Sequence, residues 1–318
     1  MWSSQRFFRR RGLPLRCRNN PRPHRQAGRY EQARTILEAL GGYGDSDALI
    51  AECDEALLRA AYDRAEALYA SGSFSEALTA FEALGDNLDA AQRALDCRAA
   101  MYEALEAAYP HATLSTAADL IDGYAEMEDY GESETRLKDL QARFGTSLSL
   151  ISNASTLPHI AFGQYPTVET GAPAPLTWRL IALDGTTATL LCDHVIDALP
   201  ATTLPALMLT AAEQESLLSL TLPQLTDLAD LTPADLRCPA TPYALAQGVR
   251  AHSDGSAWWW LADPVSSARN AIVWYNGNVI DTGVSVVESC VGVRPMVRVD
   301  LDELVLTTGD GTPEDPYR

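Results

Sequence analysis

The chain has 318 residues, 47% of them hydrophobic and 21% charged, the proportions of a soluble globular protein with room for two domains. Those proportions exclude wholesale disorder, a collagen-like repeat and a small disulfide scaffold. The formal net charge is −19, and so acidic a body repels phosphate backbones, which excludes nucleic acid as its expected partner.

Residues 1–26 differ from everything after them. They hold eight arginines (Arg6, Arg9, Arg10, Arg11, Arg16, Arg18, Arg22 and Arg25) and no acid. This basic leader is expected to be disordered, either a solvated tail or the product of a misplaced start. An arm for nucleic acid or an anionic membrane is the functional alternative. Gly12–Leu15 is too short for the apolar core of a secretory signal, which needs roughly 7–15 residues. Nor does any later run approach the roughly 20 apolar residues of a membrane span. The six cysteines are scattered without a CxxC pair, which reads as reduced thiols in a cytoplasmic protein.

From 27 to 145 the chain repeats itself at about 44 residues, a period that means stacked helical hairpins. Gly28-Arg-Tyr-Glu-Gln-Ala33 recurs as Gly72-Ser-Phe-Ser-Glu-Ala77, Leu40-Gly41 as Leu84-Gly85, and Cys53 as Cys97. A third copy sits one residue out of step, Tyr124 to Tyr130 matching Phe81 to Asn87. Ser73-x-x-Glu76 predicts a capping box, Gly85 a helix stop, and Asp47–Ala70 and Leu88–Tyr109 long Ala-rich helices. Gly145 is expected to close the last helix. The pattern resembles the tetratricopeptide superfamily, which implies a concave surface for a peptide or protein. Too few units for a groove would leave a spacer instead. The aromatic positions Tyr30, Tyr43, Tyr69, Phe74 and Phe81 are expected in the core, because a stripe at helical spacing usually packs.

Residues 146–158 are Ser/Thr-rich with Asn and Pro and predict a linker loop. Beyond it, over 159–306, short β-like runs replace helical periodicity. Strands are expected at His159–Phe162, Trp178–Leu183, Thr187–Cys192, Ala271–Tyr275, Asn278–Ile280 and Val291–Val299. Thr210–Leu218, opening with the capping box Thr210-Ala-Ala-Glu213, is expected to be helical, Pro233-Ala-Asp a turn, and Asn276-Gly277 a hairpin. Residues 307–318 form a tail.

Several phrases in this half resemble an uncharacterised bacterial and phage domain family of C-type-lectin-like fold, related to formylglycine-generating enzymes. They are Ile160-Ala-Phe-Gly-Gln-Tyr-Pro166, Trp178-Arg-Leu-Ile-Ala-Leu-Asp-Gly185, Thr241-Pro-Tyr-Ala244, Trp259-Trp-Leu261 and Val291-Gly-Val-Arg-Pro295. The usual helix after the second strand pair is replaced here by the Pro/Ala/Thr stretch 197–209. The resemblance implies an α+β multidomain chain: N-terminal α-helical hairpin repeats, tetratricopeptide-like, followed by a mixed α/β lectin-like domain with its ligand face late in the sequence.

Three functions follow from these residues. The first is a non-catalytic binding module for a protein or glycan. In an extended segment Trp259 faces one way and Trp258 and Trp260 the other, so one side of the triplet is core and the other can line a surface. With Asn270, Trp274, Tyr275, Asn276 and Asn278 the triplet's outer rings Trp258 and Trp260 make a paratope-like set of rigid rings and adaptable amides. The second function is a metalloenzyme built on Cys290 with His159, His194 or His252. The third is a scaffold whose repeats bind while the C-terminal domain is structural. No cofactor or metal is called for, since the calcium-loop and metal-ligand spacings are missing, although Asn276, Asn278 and Asp281 could offer oxygens. Arg294 is expected to pair with a buried carboxylate. The oligomeric state is left open.

Overall fold

The computed structural model describes residues 23–318, with side chains from Gly28 onward. Residues 1–22 of the basic leader, with Cys17, lie outside the described residues. The chain divides into two compact units between Ala107 and Ala108. It is an α+β protein: helices fill the first unit, and two antiparallel sheets with a helical hairpin form the second.

In the first unit α1 (Pro23–Glu38) packs on α2 (Ser46–Ala70), and α3 (Phe74–Glu82) follows before α4 (Ala90–Ala108). Ala65, Ala77, Phe81, Ala90 and Cys97 are buried together, with Tyr62 and Tyr69 packed against them. The small residues let the helices approach closely, and Phe81 fills the gap they leave. Cys53 and Cys97 are free thiols at matching repeat positions, both buried, and burial pushes both above the usual thiol range. Arg93 of α4 ties this packing together. It makes a two-pronged contact with Glu66 of α2 at 2.5 and 2.9 Å and stacks over Tyr69 at 4.2 Å. Tyr43 departs from the core assignment: it is 65% exposed, because it lies in the loop after α1 rather than on a helix face. The capping box expected at Ser73 is also unformed, its side chain making no cap bond.

The second unit opens with a third hairpin, α5 (Leu114–Glu126) and α6 (Ser133–Ser152). The three hairpins bend alike. Gly41, Gly85 and Glu128 have φ of 57, 59 and 53°, and Gly44, Leu88 and Gly131 have φ of 62, 57 and 60°. Each short-to-long loop therefore has a pair of left-handed residues three positions apart, in the same register as the sequence repeat, and the first loop adds Gly42 at 79°. Leu88 holds its position against steric cost, with its side chain 51% exposed. Leu88→Gly should raise the first unit's stability by about 0.5–1 kcal/mol, the relief of left-handed strain exceeding the entropy glycine adds to the unfolded chain. A thermal melt followed by far-ultraviolet circular dichroism reads this; an unchanged or lower midpoint would mean that the loop carries no strain.

The expected loop at 146–158 is helical through Ser152. Gly145 does not adopt a positive φ, so it cannot terminate α6. Leu148, Leu150 and Ile151 instead continue the apolar face onto the sheets, and Ser149 bonds back to the Gly145 carbonyl at 2.9 Å. Leu114 is buried in the same core, and its backbone N–H donates to the Asp302 carboxylate at 2.5 Å. The third hairpin thus shares an interior with the sheets that follow.

Those sheets comprise β1 (His159–Pro166), β2 (Pro173–Asp184), β3 (Thr187–Cys192), β4 (Leu217–Thr221), β5 (Trp259–Ser266), β6 (Arg269–Val273), β7 (Val279–Ser285) and β8 (Met296–Asp300). The larger sheet runs β1-β2-β3-β8-β4 and the smaller β5-β6-β7. Alternation of side chains assigns the faces: Leu190 and Val297 enter the core shared with α5 and α6, while Leu191 and Met296 enter a second core against the smaller sheet. Short helix α7 (Ala211–Ser216) leads into β4, and α8 (Pro233–Leu236) and α9 (Pro242–Ala246) lie between β4 and β5 in sequence. The capping box at Thr210 and Glu213 forms as expected. The turn expected at Pro233 is instead α8, capped by Thr232 and Asp235, and β4 was not anticipated.

The last residues are structural. The Ala161 N–H donates to the Tyr317 carbonyl at 2.8 Å and the Tyr317 N–H to the His159 carbonyl at 2.9 Å, so the chain end runs beside β1. Leu306 and Tyr317 are buried in the first core.

Candidate functional site

The smaller sheet carries the aromatic residues singled out in the sequence. Its central hairpin joins β6 to β7 through Trp274-Tyr-Asn-Gly-Asn278. The Gly277 N–H donates to the Trp274 carbonyl and the Trp274 N–H to the Asn278 carbonyl, each at 2.8 Å. Gly277 has a φ of +84°, and a Cβ there would lie 1.8 Å from the Pro233 carbonyl oxygen. Glycine is therefore required twice over, by backbone hand and by the close approach of α8. This fixes the loop as a three-residue hairpin with its rings held at set angles.

The triplet Trp258-Trp259-Trp260 alternates as strand geometry demands. Trp259 faces the core between the sheets, and Trp260 and Trp258 face the opposite side. That opposite side is closed over Trp260 by Ala201, Leu222, Val291 and Val293. Trp260 is fully buried, which corrects its place among the expected binding residues: the irregular stretch 197–209 and the approach to β8 cover it. Its indole Nε1 has no hydrogen-bond partner. Trp258, further along the same face, is half-buried.

Trp258 begins a row of rings that reaches the surface. It meets Trp274 edge-on at 5.9 Å and 68°, Trp274 meets Tyr275 at 5.2 Å and 64°, and Tyr275 stacks flat on His252 at 4.5 Å and 6°. Trp274 is 36% exposed. The indole N–H groups of Trp258 and Trp274 and the Tyr275 hydroxyl make no hydrogen bond among the described residues. His252 was missed as a member of this face: it lies 23 positions before Tyr275 with no motif around it, and only tertiary packing brings the rings together.

The amides expected to be adaptable are committed elsewhere. Asn270 donates to the Leu261 carbonyl at 3.1 Å, stitching β6 to β5. The Asn276 carbonyl oxygen accepts from the Asn278 N–H at 3.0 Å, closing the turn. Of the three, Asn278 alone leaves its side chain without an internal partner among the described residues. Beside His252, Asp254 accepts from the Ser256 N–H at 3.0 Å, faces His252 Nδ1 at 3.3 Å and pairs with Arg237. The Ser256 backbone and side-chain bonds, with His252 and Arg237, bring its carboxyl down to about 2.

No family model, curated protein or solved structure matches this chain. Its geometry therefore carries the functional reading unaided.

Beneath the ring row lies the residue that joins the two sheets. Arg294 is 1% exposed. Its guanidinium donates to the Cys192 carbonyl at 2.7 Å and the Leu236 carbonyl at 3.2 Å, and it stacks over Trp259 at 5.0 Å. The expected carboxylate partner is replaced by carbonyls at the ends of β3 and α8. Nearby, burial pushes the thiols of Cys192 and Cys238 up, the latter to about 11, and burial holds His194 below the usual imidazole range. Cys290 bonds to Glu288 at 3.4 Å, and burial raises it as well. Among the described residues no three His, Cys, Asp or Glu side chains converge to hold a metal ion, and no helix is long and apolar enough to cross a membrane.

Proposed function

We propose that this chain is a non-catalytic binding protein whose second unit takes a protein or glycan ligand on the row formed by Trp258, Trp274, Tyr275 and His252. The observation that carries this reading is a row of large rings, half-buried at Trp258 and Tyr275 and exposed at Trp274, on a hairpin whose turn Gly277 fixes. Aromatic surface kept at the solvent boundary on a rigid support is the composition of binding hot spots, because it gives contact area at low entropic cost. The same reading takes the hairpins as a tetratricopeptide-like array and the sheets as a lectin-like module. Their shared left-handed loop positions support the first, and the late hairpin position of the rings supports the second.

Binders drawn from a peptide-display library or an oligosaccharide array should lose at least tenfold in affinity, about 1.4 kcal/mol, when Trp274 and Tyr275 are both replaced by alanine. Binders that keep their affinity for the double variant, or an absence of binders from both collections, would remove this face from consideration.

A further inference from the structure

Resting on that reading, we propose that the ligand is a proline-rich peptide segment in the polyproline II conformation with basic flanking residues. The polar groups of the face discriminate between ligand classes. A sugar presents several hydroxyls and needs several fixed polar partners around any stacking ring. Here Asn270 is spent on the Leu261 carbonyl and Asn276 on the turn. Asp254 is occupied by Ser256 and Arg237. What is left over is ring surface together with the two indole N–H groups, the Tyr275 hydroxyl and the single amide of Asn278. A polyproline II segment needs that combination, since its backbone carbonyls are free of internal hydrogen bonds and accept from such donors.

Ring angles agree. Trp274 stands at 68° to Trp258 and 64° to Tyr275, so the row is notched rather than a flat platform for a pyranose. Notches between steeply inclined rings admit the edge of a pyrrolidine ring. Successive ring-to-ring steps of 5.9, 5.2 and 4.5 Å set an upper limit on the span of the row that about five residues of polyproline II reach at ~3.1 Å per residue. Such a segment is ordered before it binds, so a small face suffices. Charge supplies the flanks, since the chain carries a net charge of −19. Arginine or lysine beside the prolines is drawn to such a body.

The test is calorimetric titration of the full chain with three sets of probes. These are PxxP-containing peptides of about ten residues with arginine at either end, the same peptides with every proline changed to alanine, and linear oligosaccharides. The proline peptides should bind with Kd under about 1 mM, at least tenfold more tightly than their alanine counterparts, and Trp274→Ala should abolish the difference. Should Trp274→Ala fail to fold by circular dichroism, Tyr275→Ala carries the same expectation. Equal affinity for proline and alanine peptides overturns the proposal. Oligosaccharide binding that depends on Trp274, without peptide binding, overturns it too while the binding face itself stands. Binding of no probe overturns both.

Discussion

Arg294→Met should cost the second unit about 3 kcal/mol, and Arg294→Lys about 2. Removing the guanidinium forfeits two charge-assisted hydrogen bonds, each worth roughly 1.5–3 kcal/mol, and leaves buried carbonyl oxygens without their donor. Relief of the buried charge's desolvation offsets part of that loss. Lysine keeps the charge but not the flat fork, so it cannot reach the Cys192 and Leu236 carbonyls while lying against Trp259. The tryptophans among the described residues, from Trp178 to Trp274, all belong to the second unit. Denaturant unfolding followed by their fluorescence therefore reports this unit. A loss under about 1 kcal/mol for methionine would show that the two sheets hold together without Arg294.

The second large effect is expected at the far end of the chain. Tyr317→Ala should destabilise the same unit by about 3–5 kcal/mol, the usual cost of emptying a buried aromatic site. The ring is 3% exposed, and the loop before it is built around it: a Cβ on Gly311 would come within 2.6 Å of the ring. Its hydroxyl contributes less, accepting from Asn153 at 3.3 Å, so Tyr317→Phe should cost no more than about 1 kcal/mol. The same denaturant curves separate the two variants, and equal effects would place the energy in the hydroxyl rather than in packing.

Local chemistry made some elements legible and left others hidden. The α2 and α4 helices lie within two residues of their expected bounds, because Ala-rich runs ended by Gly72 and Pro110 leave little choice. The β3 strand matches Thr187–Cys192, a compact β-favouring run between turn residues. Gly145 misled because a glycine ends a helix only where the backbone turns left-handed, and apolar residues beyond it had a sheet to cover. The β4 strand, Leu217–Thr221, starts directly after a capped helix and was absorbed into it. At the site, alternation correctly separated Trp259 from its two neighbours. It could not say that the stretch around Ala201 folds over Trp260, nor that His252 comes back to lie on Tyr275. Those are long-range facts, carried by no residue's immediate neighbours. Likewise Arg294 was visibly internal, but its acceptors were carbonyls, which every residue has and no side-chain pattern marks.

The shared interior of α6 and the larger sheet decides where this protein can be dissected. A cut near residue 145, where the amino-acid texture changes, would strip Leu114 and Phe144 from the core they share with the sheets and leave an open hydrophobic wound on the downstream half. The boundary between Ala107 and Ala108 keeps α6 with the sheets it packs on, so that is where separate expression of the two halves belongs.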